Sequence, residues 1–127
     1  MGKKQIAVFD LFELECGYIA SAVREWYGED GAAVAEYIDM PDISGDCMER
    51  VKRKEPFHMV FIGIEGMTGV ETARNIRDID ALCPIFIVSS SGKYAVEGYR
   101  LHVTDYLIKP VTAERIGEAI ARIGAVQ

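Results

Sequence analysis

Three polar side chains stand at or directly behind apolar, β-branched runs: Asp10 after Gln5–Phe9, Ser89 closing Ile85–Ser89, and Lys109 after Thr104–Ile108. A carboxylate, a hydroxyl and an ammonium gathered at one place can hold a cation, hydrogen-bond an anionic group and neutralise it. Other chemistries find less support. No Ser/His/Asp or Cys/His grouping falls behind these runs, and Cys83 precedes Pro84 rather than opening a helix. Gly63, Gly66 and Gly69 lack the G-x-x-x-x-G-K-[ST] spacing of a phosphate loop. His58 and His102 have no Cys or second His at ligand spacing, so no metal and no cofactor is expected. An enzyme or small-ligand binder on the same framework is the competing reading, and it has no residue constellation behind it.

The elements that must position these groups alternate between strand and helix patterns. Gln5–Phe9 is predicted as a strand and Glu13–Tyr27 as a helix, with Leu14, Tyr18, Ala22 and Trp26 as a buried stripe and Val23 beside it. Gly28–Gly31 breaks the pattern. Ala33–Ile38 forms a second strand, ended by Met40-Pro41-Asp42, and Ile43, Cys47 and Val51 mark a second helix closed by Pro56. Phe57–Ile64 is the most apolar strand and therefore the most central. Thr68–Ile79 is a third helix, Ile85–Ser89 a fourth strand after Pro84, and Tyr94–Tyr99 a short helix. Thr104–Ile108 is a fifth strand, and Thr112–Ile123 a last helix with Ile116, Ala119, Ile120 and Ile123 inward.

Strict alternation implies parallel strands joined by right-handed crossovers, hence an α/β doubly wound sheet with helices on both faces. The working site of such a sheet lies at the carboxyl ends of its strands. That singles out Asp10 and Leu11, Gly63 to Gly69, Ser89 to Ser91, and Lys109-Pro110.

Composition bounds the rest. The 127 residues fit one domain spanning 1–127, half of them hydrophobic, with no linker or internal repeat. The net charge of −6 argues against direct binding of nucleic acid, and the one basic run, Arg50, Lys52, Arg53 and Lys54, is expected to be a solvated helix end. The longest apolar runs are too short to cross a membrane, and the N-terminus carries neither a signal peptide nor a myristoylation motif. Cys16, Cys47 and Cys83, odd in number and set in apolar patterns, read as core thiols of a reducing compartment; a cytoplasmic location is expected, without contact with a membrane.

The runs Tyr94–Tyr99 and Asp105–Val111, with Gly66–Arg74 and Ile6–Asp10, resemble the receiver domain of bacterial response regulators, in particular the type that precedes LytTR DNA-binding domains. The likeness covers essentially the whole chain. It implies a flavodoxin-like five-stranded sheet in the order 2-1-3-4-5, and a role in two-component phosphorelay and transcription regulation. The resemblance also implies an acid pair after the first strand, a phosphorylated Asp after the third, a hydroxyl after the fourth and a lysine after the fifth. Here Asp10 matches the first acid, Leu11 stands where the second is expected and Gly63 where the phospho-accepting Asp is expected. Ser89 matches the hydroxyl, Tyr106 the aromatic switch residue and Lys109 the lysine.

A receiver degenerate at its phospho-site is therefore expected, not an enzyme, acting through a protein partner or as a dimer. In the family the face of the fourth helix, fifth strand and fifth helix carries output, and Tyr99, Leu101 and Val103 are expected to add apolar surface to it. Glu65, from the loop after the third strand, is the candidate charge mimic, or the residue through which a phosphoryl response survives. Lys109 is expected to pair with Asp10, with Gly63 leaving space between them; in many relatives a DNA-binding domain follows the receiver in the parent protein, and the sequence leaves open whether this chain is a fragment of such a regulator.

Overall fold

A computed structural model describes residues 2–40 and 43–125. The elements in order are β1 (Lys4–Asp10), α1 (Glu13–Tyr27), β2 (Ala32–Ile38), α2 (Ser44–Lys52), β3 (Met59–Ile62) and α3 (Gly66–Ile79). They continue with β4 (Ile85–Ser89), a 3₁₀ turn (Gly92–Tyr94), α4 (Ala95–Arg100), β5 (Asp105–Ile108) and α5 (Ala113–Ala125). The five strands form one sheet in the order β2-β1-β3-β4-β5, every pairing parallel, as the sequence predicts.

Two apolar layers sandwich the sheet. Ile6, Val8, Phe61, Phe86, Val88 and Leu107 point to α1 and α5, while Ala7, Phe9, Val60, Ile62, Ile85 and Ile87 point to α2 and α3. Both faces being covered, the central strands carry no polar alternation, and β3 and β4 are buried at every position. Phe61 and Phe86 stack across β3 and β4 with ring centroids 4.6 Å apart.

The expected stripe on α1 is corrected by the structure. Leu14 is 88% exposed, Tyr18 and Trp26 are about half exposed, and the buried face is instead Cys16, Ile19, Ala20 and Val23, with Ala22 at its margin. Residues four apart drift by about 40° per step around a helix, so a long i, i+4 series leaves the sheet. The i, i+3, i+4, i+7 set of smaller side chains keeps facing it.

Smaller differences also have local causes. β3 is shorter than Phe57–Ile64, because Gly63 and Ile64 already belong to the turn into α3, which starts at Gly66 with φ +69°. α2 stops at Lys52 before reaching Pro56, because Lys54 turns left-handed at φ 63°. The fourth helical segment begins as the 3₁₀ turn, where Ser91 Oγ accepts the Lys93 N–H. Val103 is buried rather than surface-forming. The proposed end of the second strand at Pro41 and Asp42 lies outside the described residues.

Candidate functional site

Parallel strands deliver Asp10, Gly63, Ser89 and Lys109 to one edge of the sheet, as the sequence predicts. Asp10 is fully buried, and its Oδ1 accepts the Phe12 N–H at 3.0 Å. Burial pushes its carboxyl above the usual value, outweighing the Phe12 N–H and the nearby Lys109 charge. Leu11 offers only a half-exposed hydrocarbon at the rim.

Lys109 is the hub, and it is not simply the partner of Asp10. Its Nζ lies 2.8 Å from Glu15 Oε2, 3.2 Å from the Gly63 carbonyl oxygen, and 3.5 Å from both Asp10 Oδ2 and Glu65 Oε2. Burial works against the charged amine. The Glu15 hydrogen bond and the charges of Asp10, Glu15 and Glu65 outweigh it and raise the lysine's pKa.

Gly63 leaves no space between Asp10 and Lys109, contrary to expectation. Its N–H donates to the Phe9 carbonyl, and a Cβ placed on it would collide with Asp10 Oδ2. Glycine is required here by close approach, not by an unusual backbone angle.

Glu65 reaches from the β3–α3 loop to the end of β4. Its Oε1 accepts Ser89 Oγ–H at 2.7 Å, Ser90 N–H at 3.0 Å and Ser90 Oγ–H at 3.1 Å. Although burial works the other way, these donors and Lys109 hold the Glu65 carboxyl below its usual pKa. The same loop is held from its far side, because Tyr106 OH donates to the Ser91 carbonyl at 2.7 Å. Tyr106 itself is buried against α3 and α4 residues.

The donor set does not fit a divalent cation of the kind that receivers use. Beside Asp10 stand a leucine side chain and a glycine, and the amine of Lys109 already lies among the carboxylates. Beside this edge runs a groove of about 890 Å³ between Leu14 and Tyr18 of α1 and Pro110–Thr112.

The response regulator receiver domain model matches residues 18–121. The chain belongs to this family. Among relatives of this receiver domain, the sensory transduction protein LytR of Staphylococcus epidermidis is 30% identical over 69 residues, 53% of this chain and 27% of that protein. The transcriptional regulatory protein ZraR of Salmonella typhimurium is 27% identical over 125 residues, 95% of this chain and 26% of that protein. The receiver spans only about a quarter of these relatives. In fold it matches the response regulatory domain of mrkE from Klebsiella pneumoniae, with TM-score 0.72, 18% identity and 96% of each chain covered. CheY4 of Vibrio cholerae matches with TM-score 0.72, 17% identity, and 96% of this chain and 99% of that chain covered.

Sequence reasoning missed Glu15, whose partner only the fold reveals; Ser90 lay within the stretch Ser89 to Ser91 that the sequence singled out, but its bonds to Glu65 were not foreseen. It also missed Asp105, a buried carboxylate at the start of β5, whose Oδ2 accepts from Arg115 at 2.9 Å and pairs with Arg122 at 3.5 Å. Its Oδ1 accepts Tyr99 OH at 3.3 Å. A charged residue opening an apolar strand was the available signal.

Proposed function

We propose that this receiver does not take a phosphoryl group, and that Glu65 supplies a standing negative charge in its place. The observation that carries this reading is the Glu65 carboxylate, which accepts from Ser89 and Ser90 and faces Lys109. A hydroxyl, an amide N–H and an ammonium are the donors that a phosphoryl group would need. On this reading Asp10, Leu11 and Gly63 form a relict phospho-site, and the chain is an interaction module rather than an enzyme.

The output follows the hydrogen bonds. Glu65 fixes the Ser89–Ser91 loop, Tyr106 grips that loop from below, and α4 packs on Tyr106 through Gly98. We place the partner or second copy on the α4–β5–α5 face, where Val96, Tyr99 and Ile108 are exposed beside the Asp105–Arg115 pair. As in relatives named as transcriptional regulators, the chain would serve a larger regulator with a downstream DNA-binding domain, in the cytoplasm. Among the described residues no helix is long and apolar enough to cross a membrane.

Glu65→Gln tests the charge. Amide resonances of Ser90, Ser91, Tyr106 and α4 should shift together, and self-association or partner binding through Tyr99 should weaken. Shifts confined to residues beside position 65 would contradict the reading.

A further inference from the structure

The basic run predicted to be a solvated helix end does not stand alone. β1 begins with Lys4, preceded by Lys3, at the same pole of the sheet as the last turn of α2 with Arg50 and Lys52 and the turn after it with Arg53 and Lys54. The elements are tied together: His58 N–H donates to the Gln5 carbonyl at 2.7 Å, and Gln5 N–H donates to His58 Nδ1 at 2.7 Å. Arg50 Nη2 donates to Gln5 Oε1 at 3.3 Å, and its guanidinium lies over Phe57 at 4.2 Å. Burial first, then the charges of Lys4 and Arg50, depress the His58 pKa.

The backbone singles out one of these lysines. The Lys54 N–H donates to the Val51 carbonyl at 3.0 Å, and the Glu55 N–H to the Arg50 carbonyl at 2.8 Å, the paired bonds of a Schellman cap. Lys54 occupies the left-handed position of that cap, at φ 63°, where glycine is the unstrained residue. Arg50 and Lys52 lie in the last turn of α2, where a cation answers the helix dipole. Lys54 lies beyond the helix, where it keeps a charge at a place whose backbone favours having no side chain.

We propose that this pole of the sheet, opposite the Lys109 site, is a docking surface for an acidic segment of a partner protein, a short run of Asp and Glu. Six Lys and Arg belong to the segments that end at this pole, and so do four acids: Glu49 and Glu55 in the same stretch, and Glu29 and Asp30 in the turn whose Gly31 carbonyl accepts the Lys4 N–H. Elsewhere in the chain eight Lys and Arg face sixteen Asp and Glu. A nucleic acid or an anionic bilayer extends well past the patch and meets that acidic remainder, whereas a short peptide stays within roughly a Debye length of the lysines, about 8 Å.

The test uses the full chain and a fluorescein-labelled octaglutamate, with a DNA duplex and anionic phosphatidylserine vesicles as competitors. Saturable binding to the peptide is expected, weakening as salt rises, lost in Lys52→Glu/Arg53→Glu/Lys54→Glu and kept in Lys93→Glu. Lys54→Gly separates charge from structure: it should raise the melting temperature while weakening binding several-fold. No saturable binding, wild-type binding by Lys54→Gly, or tighter binding to duplex or vesicles would overturn the proposal.

Discussion

Glu65 Oε1 lies 2.7 Å from Ser89 Oγ, joining the loop after β3 to the end of β4 by a carboxylate rather than by a phosphoryl group. The same carboxylate faces Lys109 at 3.5 Å through its second oxygen. The site is thereby satisfied by the chain's own charges.

That arrangement has a pH signature. Glu65 has a folded-state pKa below its ordinary 4.5, so its contribution to stability is present above that value and lost as pH falls through the folded pKa. Asp10 has its pKa raised above 3.8, so its contribution is present below 3.8 and lost as pH rises through its folded value. Stability against urea, measured between roughly pH 3 and 7, should therefore fall less on acidification in Glu65→Gln and more in Asp10→Asn. Like-signed changes in the two variants would contradict these assignments.

Gly63 and Asp10 should couple. Gly63→Ala should destabilise by about 1–3 kcal/mol, because its Cβ drives into Asp10 Oδ2. Much of that cost should disappear in an Asp10→Ala background, and denaturant melts of the four proteins measure it. It follows that Gly63→Asp alone does not rebuild an acceptor site.

Lys109→Met should cost about 1–3 kcal/mol and Asp10→Asn less, because burial already disfavours the Asp10 carboxylate, with a coupling of at least ~0.5 kcal/mol in the double-mutant cycle. Lys109→Met should be the worse of the two, since it strands the buried Asp10 and also releases Glu15 and Glu65. Strictly additive effects would mean that the Asp10 contact carries no energy.

In the core, Phe61→Ala and Ile62→Ala should each cost about 2–5 kcal/mol, against roughly ±0.5 kcal/mol for Lys93→Ala on the surface. Equal losses from all three would contradict the central position of β3.

The parallel sheet and the meeting of Asp10, Ser89 and Lys109 were legible because both rest on simple rules, alternation of periods and parallel strands ending at one edge, whereas the strand order was implied by the resemblance to receivers. What was not legible depends on rotation and reach. Leu14 and Tyr18 share the spacing of a buried stripe, yet helix phase turns them outward. Glu15 looks like any surface acid of a first turn until the fold brings Lys109 to it. Arg77 gave no sign of its role, which is to donate to the carbonyls of Asp80, Ala81, Cys83, Leu101 and His102 and so fasten two loops to α3. Such contacts join residues up to 25 positions apart, beyond any local pattern.

The central claim, that the site is closed to phosphoryl transfer, is tested most directly by incubating the chain with acetyl phosphate and Mg²⁺ and measuring its intact mass. The account predicts no phosphoryl adduct, for the wild type and for Asp10→Ala alike. A Mg²⁺-dependent adduct that disappears in Asp10→Ala would contradict it.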